Sequence, residues 1–461
     1  MSFSDAFFGL LLYTWYSFAS PLELTYGSLE GSKLSMLVAA VVILTSVQQK
    51  QGLLVNNTLT WLCYLFALAC FSSLAYTTVF SISQIGRSVE NLTKIIFMAC
   101  LAPALLPNLR KLRMFVWTVA LSAGLLGAYY GVFGLFAGSR SIAGPARIGD
   151  NNAYAVFLVT NLAFIFYGGR HATFIKNEAL RGLMTFGLFS ANLLAIMLTF
   201  SRGGFLAAGL VFALIMLHVK NAIFKVISCG LILPVFCFLV FNIFSGDPGL
   251  YEIPSGKAQE DSTPLETIET YVSRLRTLQS AASVDSASSR THFWKVATLM
   301  AKDNPALGVG FGRYNSEYNS YDTEFGKYGF GRSVHSTYFK VLAETGLVGF
   351  GLFSLIILTC LFATQKIGSI CRLFSDHSDS SELVDYASMI RISIIGYCTG
   401  SIFVSTLNHE MFWALISTTI AVDVLGKKIR AEEVEKFELS QQSSSFSFSP
   451  KEKNKVKKFS I

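Results

Sequence analysis

The sequence predicts an all-α membrane protein: a polytopic bundle of about 12 transmembrane helices with a large helical loop outside the membrane. Of the 461 residues, 52% are hydrophobic and only 14% are charged, a balance that is unusual for a soluble globular protein. Apolar stretches recur along the chain and are separated by Gly, Pro or charged residues. One polar segment, residues 246–335, is far longer than the other connections.

The apolar stretches divide the chain into two groups of expected transmembrane helices. Residues 1–245 hold helices 1–9, and residues 336–425 hold helices 10–12. The stretches lie at residues 5–19, 34–48, 58–80, 94–107, 114–136, 152–168, 181–200, 203–218, 222–245, 336–364, 389–407 and 411–425. Helices are expected rather than the strands of a barrel, because runs such as residues 61–68 lack the alternation of polar and apolar residues typical of barrel strands.

Basic residues predict the orientation of the bundle, because Lys and Arg are enriched in the cytoplasmic loops of membrane proteins. They recur in alternate loops, as Arg110, Lys111 and Arg113, then Arg170, Lys176 and Arg181, then Lys220 and Lys225, then Lys366, Arg372 and Arg391. These loops, both termini and a disordered Lys-rich tail at residues 426–461 are therefore expected in the cytoplasm. The net charge of +8 follows from this topology, so no nucleic-acid partner is expected.

The polar segment at residues 246–335 is expected on the outer side of the membrane. Apolar residues repeat at helical spacing at residues 265–278, after Pro264, and again at residues 293–300, after Arg290. Loops of this length are usually functional or disordered. We expect helices that lie over the membrane domain, either as a lid on an active site or as a structural cap.

An arginine lies between two apolar stretches in residues 199–204, which read Thr-Phe-Ser-Arg-Gly-Gly. A guanidinium held in a bilayer costs about 2.5 to 3.5 kcal/mol on insertion scales, so Arg202 either extends to the lipid headgroups or serves a function. The glycines that follow allow a ligand to approach the backbone, and a planar guanidinium suits a diphosphate. We predict that Ser201, Arg202 and Gly203 contact an anionic substrate.

A histidine follows near the end of the long segment. His335 and Ser336 precede, by nine residues, the sequence Gly-Leu-Val-Gly at residues 346–349, which leads into an apolar span. Because the pKa of a free imidazole is near neutrality, His335 is a candidate general base for a hydroxyl group. An interfacial histidine that only caps the helix also fits this position.

Together these motifs resemble the O-antigen ligase superfamily, which includes O-antigen ligases, related polymerases and some protein O-oligosaccharyltransferases. The resemblance is carried by residues 201–204, Arg290 with Trp294, residues 304–312, and His335 and Ser336 with Gly346 and Gly349. Phe350 departs from the small or hydroxylated residue, or tyrosine, that often follows the second glycine in ligases. Residues 149–154, Gly-Asp-Asn-Asn-Ala-Tyr, are also similar to the family, and equally fit a loop that ends in a helix N-cap.

The resemblance implies a glycosyltransferase in a bacterial inner membrane, which moves a glycan from a polyprenyl diphosphate carrier to an acceptor hydroxyl on the periplasmic face. Arg202 and Arg290 would stabilise the departing diphosphate. His335 would take the proton of the acceptor hydroxyl, and direct attack would invert the anomeric carbon. Arg147 and Arg313 are further candidates for contacts with the diphosphate or with acidic sugars.

No metal or other cofactor is expected, because the chain lacks a His, Asp or Glu cluster with metal-ligand spacing. Further groups expected on the outer side could orient His335 or simply be solvated; they are Glu317, Asp322, Glu324, His409 and Glu410. The acceptor stays open between lipid A core, another lipid-linked glycan and a protein, and the donor tail is expected to enter from membrane lipid. A polysaccharide transporter or flippase is the alternative of a different class, although no internal repeat is evident.

Overall fold

A computed structural model describes residues 5–19, 34–50, 52–77, 82–136, 144–145, 148–219 and 282–443. Within these ranges the chain is helical and contains no β-strand, which confirms the all-helical class. The helices are α1 (Ala6–Ala19), α2 (Leu34–Gln48), α3 (Thr58–Thr77), α4 (Ile82–Leu101), α5 (Leu109–Phe136), α6 (Asn151–Arg170), α7 (Glu178–Leu198), α8 (Arg202–His218), α9 (Ala282–Asp303), α10 (Tyr314–Tyr321), α11 (Thr337–Leu373), α12 (Ser380–Gly400) and α13 (Glu410–Ser443).

Among the described residues, five helices are long and apolar enough to cross a membrane: α3, α5, α6, α7 and α11. Four shorter apolar helices accompany them, at Ala6–Ala19, Leu34–Gln48, Asn91–Leu105 and Arg202–His218. The span expected at residues 222–245 lies outside the described residues. A helical membrane protein is therefore supported, and the total of about 12 spans stays a prediction.

Several helices extend beyond the apolar stretches that predicted them, among them α4 and α11. Helix α4 begins at Ile82 rather than at residue 94, and α11 continues to Leu373 rather than ending at residue 364. The added turns contain charged residues, such as Arg87 and Glu90 in α4 and Lys366 and Arg372 in α11. A window that requires continuous apolar residues stops before such amphipathic turns, although they propagate the helix equally well.

The tail expected to be disordered from Gly426 is helical over its first part, because α13 continues to Ser443. Lys427 pairs with Asp423 at 2.6 Å one turn earlier, and Lys436 pairs with Glu433 at 2.6 Å. Such pairs and a run of good helix formers support a polar helix after the apolar stretch ends. The prediction of disorder is wrong for residues 426–443, and residues 444–461 lie outside the described residues.

Helix α6 lies at the centre of the bundle, where it packs against α5, α7, α8 and α12. Its apolar side chains are buried on all sides, as expected for a helix surrounded by other helices. Polar side chains also form hydrogen bonds between α6 and two of its neighbours. Asn161 donates to the carbonyl of Ala120 on α5 at 3.3 Å, and Ser393 on α12 donates to the carbonyl of Thr160 at 2.8 Å.

The C-terminal end of α6 meets an ionic network. Arg113 on α5 forms two hydrogen bonds to the carboxylate of Glu382 on α12, the Nε bond being 2.8 Å long. Arg170 and His171 both contact Asp385, at 3.3 and 2.8 Å. Basic groups from two of the loops expected in the cytoplasm thus meet at one end of the bundle. The other end of α6 is about 30 Å away, given its rise per residue.

The described part of the long outer segment forms its own small core. Helix α9 starts at Ala282 and includes the helix predicted at residues 293–300, whereas the one predicted at residues 265–278 lies outside the described residues. Apolar and aromatic side chains of α9, α10, the start of α11 and the loops between them pack together; they are Phe293, Val296, Ala297, Met300, Val309, Tyr314, Tyr318, Val334 and Ala343. This core holds the outer segment on the N-terminal part of α11.

Candidate functional site

Arg202 is the first residue of α8, at a tight turn after α7. Phe200 in this turn has φ of 53°, in the left-handed region that non-glycine residues rarely adopt. The hydroxyl of Ser201 caps α8 by accepting the N–H of Gly204 at 3.1 Å. The side chain of Arg202 is exposed. The sequence therefore places a guanidinium at a helix N-terminus, where the backbone dipoles already favour an anion.

The glycines after Arg202 pack against protein. A Cβ on Gly203 would lie 2.8 Å from the ring of Phe403, in the turn between α12 and α13. A Cβ on Gly204 would lie 2.6 Å from that of Ala155 on α6. Both glycines thus let α8 approach its neighbours closely, and this packing holds Arg202 in place. Ser201 and Gly203 have local structural roles here, and their predicted contact with substrate stays a prediction.

The N-terminus of α6 lies beside the Arg202 turn. Asp150 is the N-cap of α6 and accepts the N–H of Ala153 at 2.9 Å, so the N-cap interpretation of residues 149–154 is confirmed. The next residue, Asn151, donates its side-chain amide to the carbonyl of Thr199 at 2.8 Å. This bond joins the start of α6 to the turn that precedes Arg202, and it brings the exposed carboxylate of Asp150 to the same end of the bundle.

Arg290 approaches this group from the outer helix α9. Its side chain is half-buried. Burial and the positive charge of Arg202 lower the pKa of the Arg290 guanidinium, whereas the carboxylate of Asp150 raises it. Two guanidinium groups and one carboxylate therefore lie close enough to influence one another, although they come from three separate parts of the chain.

His335 completes the group from the loop before α11. Burial and the charge of Arg290 lower the pKa of its imidazole; Arg332 acts in the same direction, and Asp150 acts against it. The His335 ring lies 6.1 Å from that of Phe293, on the same helix as Arg290. The three residues predicted to be catalytic, Arg202, Arg290 and His335, are thus brought together at one end of the bundle.

The backbone of His335 is strained, with φ of 50°, and the residues after it are tightly anchored. The Thr337 N–H donates to the carbonyl of Ser401 at 2.9 Å, and its hydroxyl donates to the carbonyl of Val404 at 2.9 Å. The same α12–α13 turn carries Phe403, which packs on Gly203. One turn therefore braces both the helix that starts at Arg202 and the helix that follows His335.

The remaining predicted residues are distributed differently. Arg313 forms an ion pair with Glu317 at 2.6 Å, and its contact with substrate stays a prediction. Arg147 lies outside the described residues. Asp322, one of the candidates to orient His335, instead binds the imidazole of His292 at 2.8 Å in a nearly buried pair that fixes the outer segment.

The glycine-rich sequence at residues 304–312 interlocks with α11. Helix α11 breaks at Gly346, where φ is 63° and ψ is −162°. The loop supplies the backbone partners that the break removes, because Leu347 N–H donates to Pro305 at 2.8 Å and Val309 N–H donates to Ala343 at 2.9 Å. A Cβ on Gly346 would lie 2.4 Å from the carbonyl oxygen of Ala306, so the approach requires glycine. This motif is therefore a backbone clamp on the helix.

Sequence reasoning missed two carboxylates near these motifs. The sequence of residues 149–154 fits a helix N-cap, but it carries no signal that the charge of Asp150 acts on Arg290 and His335, which are far away along the chain. Glu344 was overlooked although it is the one acidic residue in the apolar stretch at residues 336–364, and such residues usually have a function.

Residues 187–354 match the family described as O-antigen ligase. The matched range includes Arg202, Arg290 and His335 and ends within α11. The chain is also 33% identical over 104 residues to the exopolysaccharide production protein ExoQ of Rhizobium meliloti (strain 1021). That alignment covers 21% of this chain and 22% of ExoQ, so the chain spans about a fifth of the length of this relative.

Proposed function

The chain resembles the O-antigen ligase and polymerase superfamily, and on this premise we propose that it transfers a glycan from a polyprenyl diphosphate carrier to an acceptor hydroxyl. The observation that carries the proposal is the convergence of Arg202, Arg290 and His335 at one end of the bundle. We propose that this end faces the periplasm of a bacterial inner membrane, because the basic loops gather at the other end.

Two like charges at one place favour an anionic ligand. The charge of Arg202 lowers the pKa of Arg290, which means that the two cations repel each other in the protein alone. A diphosphate between them would relieve this repulsion and accept bidentate hydrogen bonds from both guanidinium groups. These bonds strengthen as negative charge develops on the leaving diphosphate, so they would stabilise the transition state more than the bound donor.

His335 would act on the acceptor. As the bond between the anomeric carbon and the diphosphate breaks, the acceptor oxygen forms the new bond to that carbon and its proton passes to the imidazole. The lowered pKa of His335 keeps the imidazole neutral, the state that accepts a proton. A single direct displacement inverts the anomeric carbon, and these steps require no metal ion.

We propose lipid A core as the acceptor, as in the ligases of the superfamily. A second candidate is the end of another lipid-linked glycan, which would make the protein a polymerase. The similarity to ExoQ, whose name refers to exopolysaccharide production, favours this second candidate. The donor chemistry is the same in both cases, since only the identity of the attacking hydroxyl differs.

Transfer is tested with purified protein in liposomes that present donor and acceptor on one side. Arg202→Ala, Arg290→Ala and His335→Ala are each expected to lower the rate by about a hundred- to a thousandfold, the usual effect of removing a group that stabilises the transition state. Lys295→Ala, which removes an exposed cation from the same helix as Arg290, is the matched control and should retain wild-type transfer.

Wild-type activity in the Arg202→Ala protein would contradict the assigned donor site. Net movement of lipid-linked sugar across the bilayer without transfer would support a transporter instead. Deletion of the gene followed by glycan analysis separates the two acceptors. Loss of long chains from lipid A with intact lipid-linked polymer indicates a ligase, whereas products of a single repeat indicate a polymerase.

A further inference from the structure

Glu344 is a fully buried carboxylate at the break in α11. Its side chain is 1% exposed. The backbone N–H of Tyr314 donates to its Oε1 at 3.2 Å, and Gly312 adds a second backbone contact to the carboxylate. The other oxygen, Oε2, has no hydrogen-bond partner among the described residues.

The backbone of Glu344 belongs to the same junction. Its carbonyl oxygen accepts the N–H of Gly310 at 3.2 Å and the hydroxyl of Ser73 on α3. Main chain and side chain of one residue therefore join three parts of the protein: the broken helix α11, the loop at residues 304–313 and the neighbouring helix α3. The carboxylate binds the far end of this loop, where α10 begins.

Burying a carboxylate at this position costs free energy, so stability alone does not explain why a glutamate is present. A buried acidic group with an unsatisfied oxygen carries a desolvation penalty that the nearby charge of Lys340 and two backbone contacts offset only in part. A glutamine would accept the Tyr314 N–H through a neutral amide oxygen without that penalty. The position is therefore a candidate for a role beyond packing.

The junction connects α9, which carries Arg290, with α11, whose first turn follows His335. The loop at residues 304–313 directly follows α9, the helix of Arg290, while His335 lies just before the first turn of α11. Trp294 and Phe339 stack between these helices, with ring centroids 5.1 Å apart and planes at 10°. A loop released from Glu344 would lose this side-chain anchor, and the spacing of α9 and α11 would then depend on this stack, on the core of the outer segment and on the backbone bonds at the break.

We propose that Glu344 is a positioning residue: by clamping the loop at residues 304–313 onto the break in α11, it holds Arg290 beside His335. The inference rests on the transferase function proposed above. In that reaction Arg290 stabilises the leaving group and His335 acts on the acceptor, so the two side chains must face the same anomeric carbon from opposite sides. The clamp would set their positions relative to each other.

The test compares Glu344→Ala and Glu344→Gln with the wild-type protein in the liposome transfer assay, as rates over a range of pH. In Glu344→Ala, kcat is expected to fall about ten- to a hundredfold, because misplaced groups lose near-attack geometry. Arg290 would also move away from His335. Because Arg290 lowers the pKa of His335, its withdrawal raises that pKa, and the acidic limb of kcat/KM should move to higher pH.

Glu344→Gln keeps an acceptor for the Tyr314 N–H but loses the charge-assisted character of the clamp, so its rate and the position of its limb are expected to lie between those of Glu344→Ala and the wild-type protein. Gly351→Ala is the matched control on α11, because a Cβ there meets nothing within 4 Å. If Glu344→Ala fails to insert, Glu344→Asp withdraws the carboxylate by one methylene and should shift the limb in the same direction.

Two failures are distinguishable. An inactive wild-type protein would overturn the proposed function itself. An active wild-type protein whose alanine and aspartate variants leave the limb in place would overturn the positioning role, even if both variants give less folded protein, because a smaller amount of native enzyme does not change the pH at which His335 titrates.

Discussion

At the scale of single residues, two of the four non-glycine residues with positive φ in the described part of the chain lie where chemistry is proposed. His335 and Phe200, two residues before Arg202, both have φ near 50°. For non-glycine residues this conformation costs of order 1 kcal/mol or more and persists only where the surroundings impose it. The hydrogen bonds of Thr337 to the α12–α13 turn supply such surroundings for His335. These bonds therefore hold the backbone from which the imidazole extends.

Opposite charges near His335 predict opposite pH shifts. Arg332 lowers the pKa of His335 and Asp150 raises it, after the larger effects of burial and Arg290. Arg332→Gln should therefore raise this pKa and move the acidic limb of kcat/KM to higher pH. Asp150→Asn should lower it and move the limb to lower pH, while asparagine preserves the N-cap of α6.

The pH dependence of transfer in the reconstituted protein measures both shifts. Lys327→Gln serves as the control, because Lys327 is exposed on the same outer segment and is not among the groups that act on His335. Shifts of the same sign in Arg332→Gln and Asp150→Asn would show that His335 is not the titrating base.

At the scale of the elements, the packing of α8 explains the two glycines after Arg202. Gly203→Ala would place a methyl group 2.8 Å from the Phe403 ring, so the helix or the ring must move. We expect a loss of about 1 to 3 kcal/mol in stability, the usual cost of overpacking. Thermal unfolding in detergent measures it. Adding Phe403→Ala removes the ring and should recover part of the loss.

The matched control for Gly203→Ala is Gly187→Ala on α7, where a Cβ meets nothing within 4 Å and stability should not fall. The double variant also separates packing from ligand contact. Activity that returns together with stability assigns Gly203 to packing. Activity that stays lost in a stable double variant supports the direct substrate contact predicted from the sequence.

The same elements show which boundaries a sequence can reveal. Helix α6 was predicted at residues 152–168 and spans Asn151–Arg170, because its apolar run is closed by an N-cap and a basic last turn. Helix α4 starts well before its predicted boundary because its first turns are amphipathic. Hydrophobicity locates helices surrounded by apolar neighbours accurately, and it misses turns with one polar face.

At the scale of the whole molecule, α6 separates two clusters of charge. Its N-terminal end adjoins Arg202, Arg290 and His335, whereas its C-terminal end joins the network of Arg113, Glu382 and Asp385. If the basic loops are cytoplasmic, the first cluster faces outward.

Cysteine labelling tests this orientation in intact cells. Ser320→Cys, exposed on α10, should react with a maleimide that cannot cross the membrane, whereas Ser378→Cys, exposed between α11 and α12, should react only after permeabilisation. The parent protein is the control, since each native cysteine in the described residues is buried or half-buried. The reverse pattern would place the proposed site in the cytoplasm.

The candidate site could be predicted from the sequence only in part. Arg202 and His335 were found from their chemistry at the ends of apolar stretches, and Arg290 from the family resemblance. Their meeting point, and the charge of Asp150 within it, depend on how α6, α8, α9 and α11 pack, which no local pattern encodes. The role of residues 304–312 was also invisible, because its partners are backbone atoms of another helix.

The break in α11 has a consequence for engineering. Residues 304–312 and 343–348 complete each other's backbone hydrogen bonds, so neither segment is a self-contained module. A chimera that grafts the outer loop of a relative onto this chain, to alter glycan choice, would leave a membrane helix with mismatched polar groups. Both segments must therefore be exchanged together. Only such a chimera keeps the backbone hydrogen bonds intact and can show whether the sequence of the loop determines donor specificity.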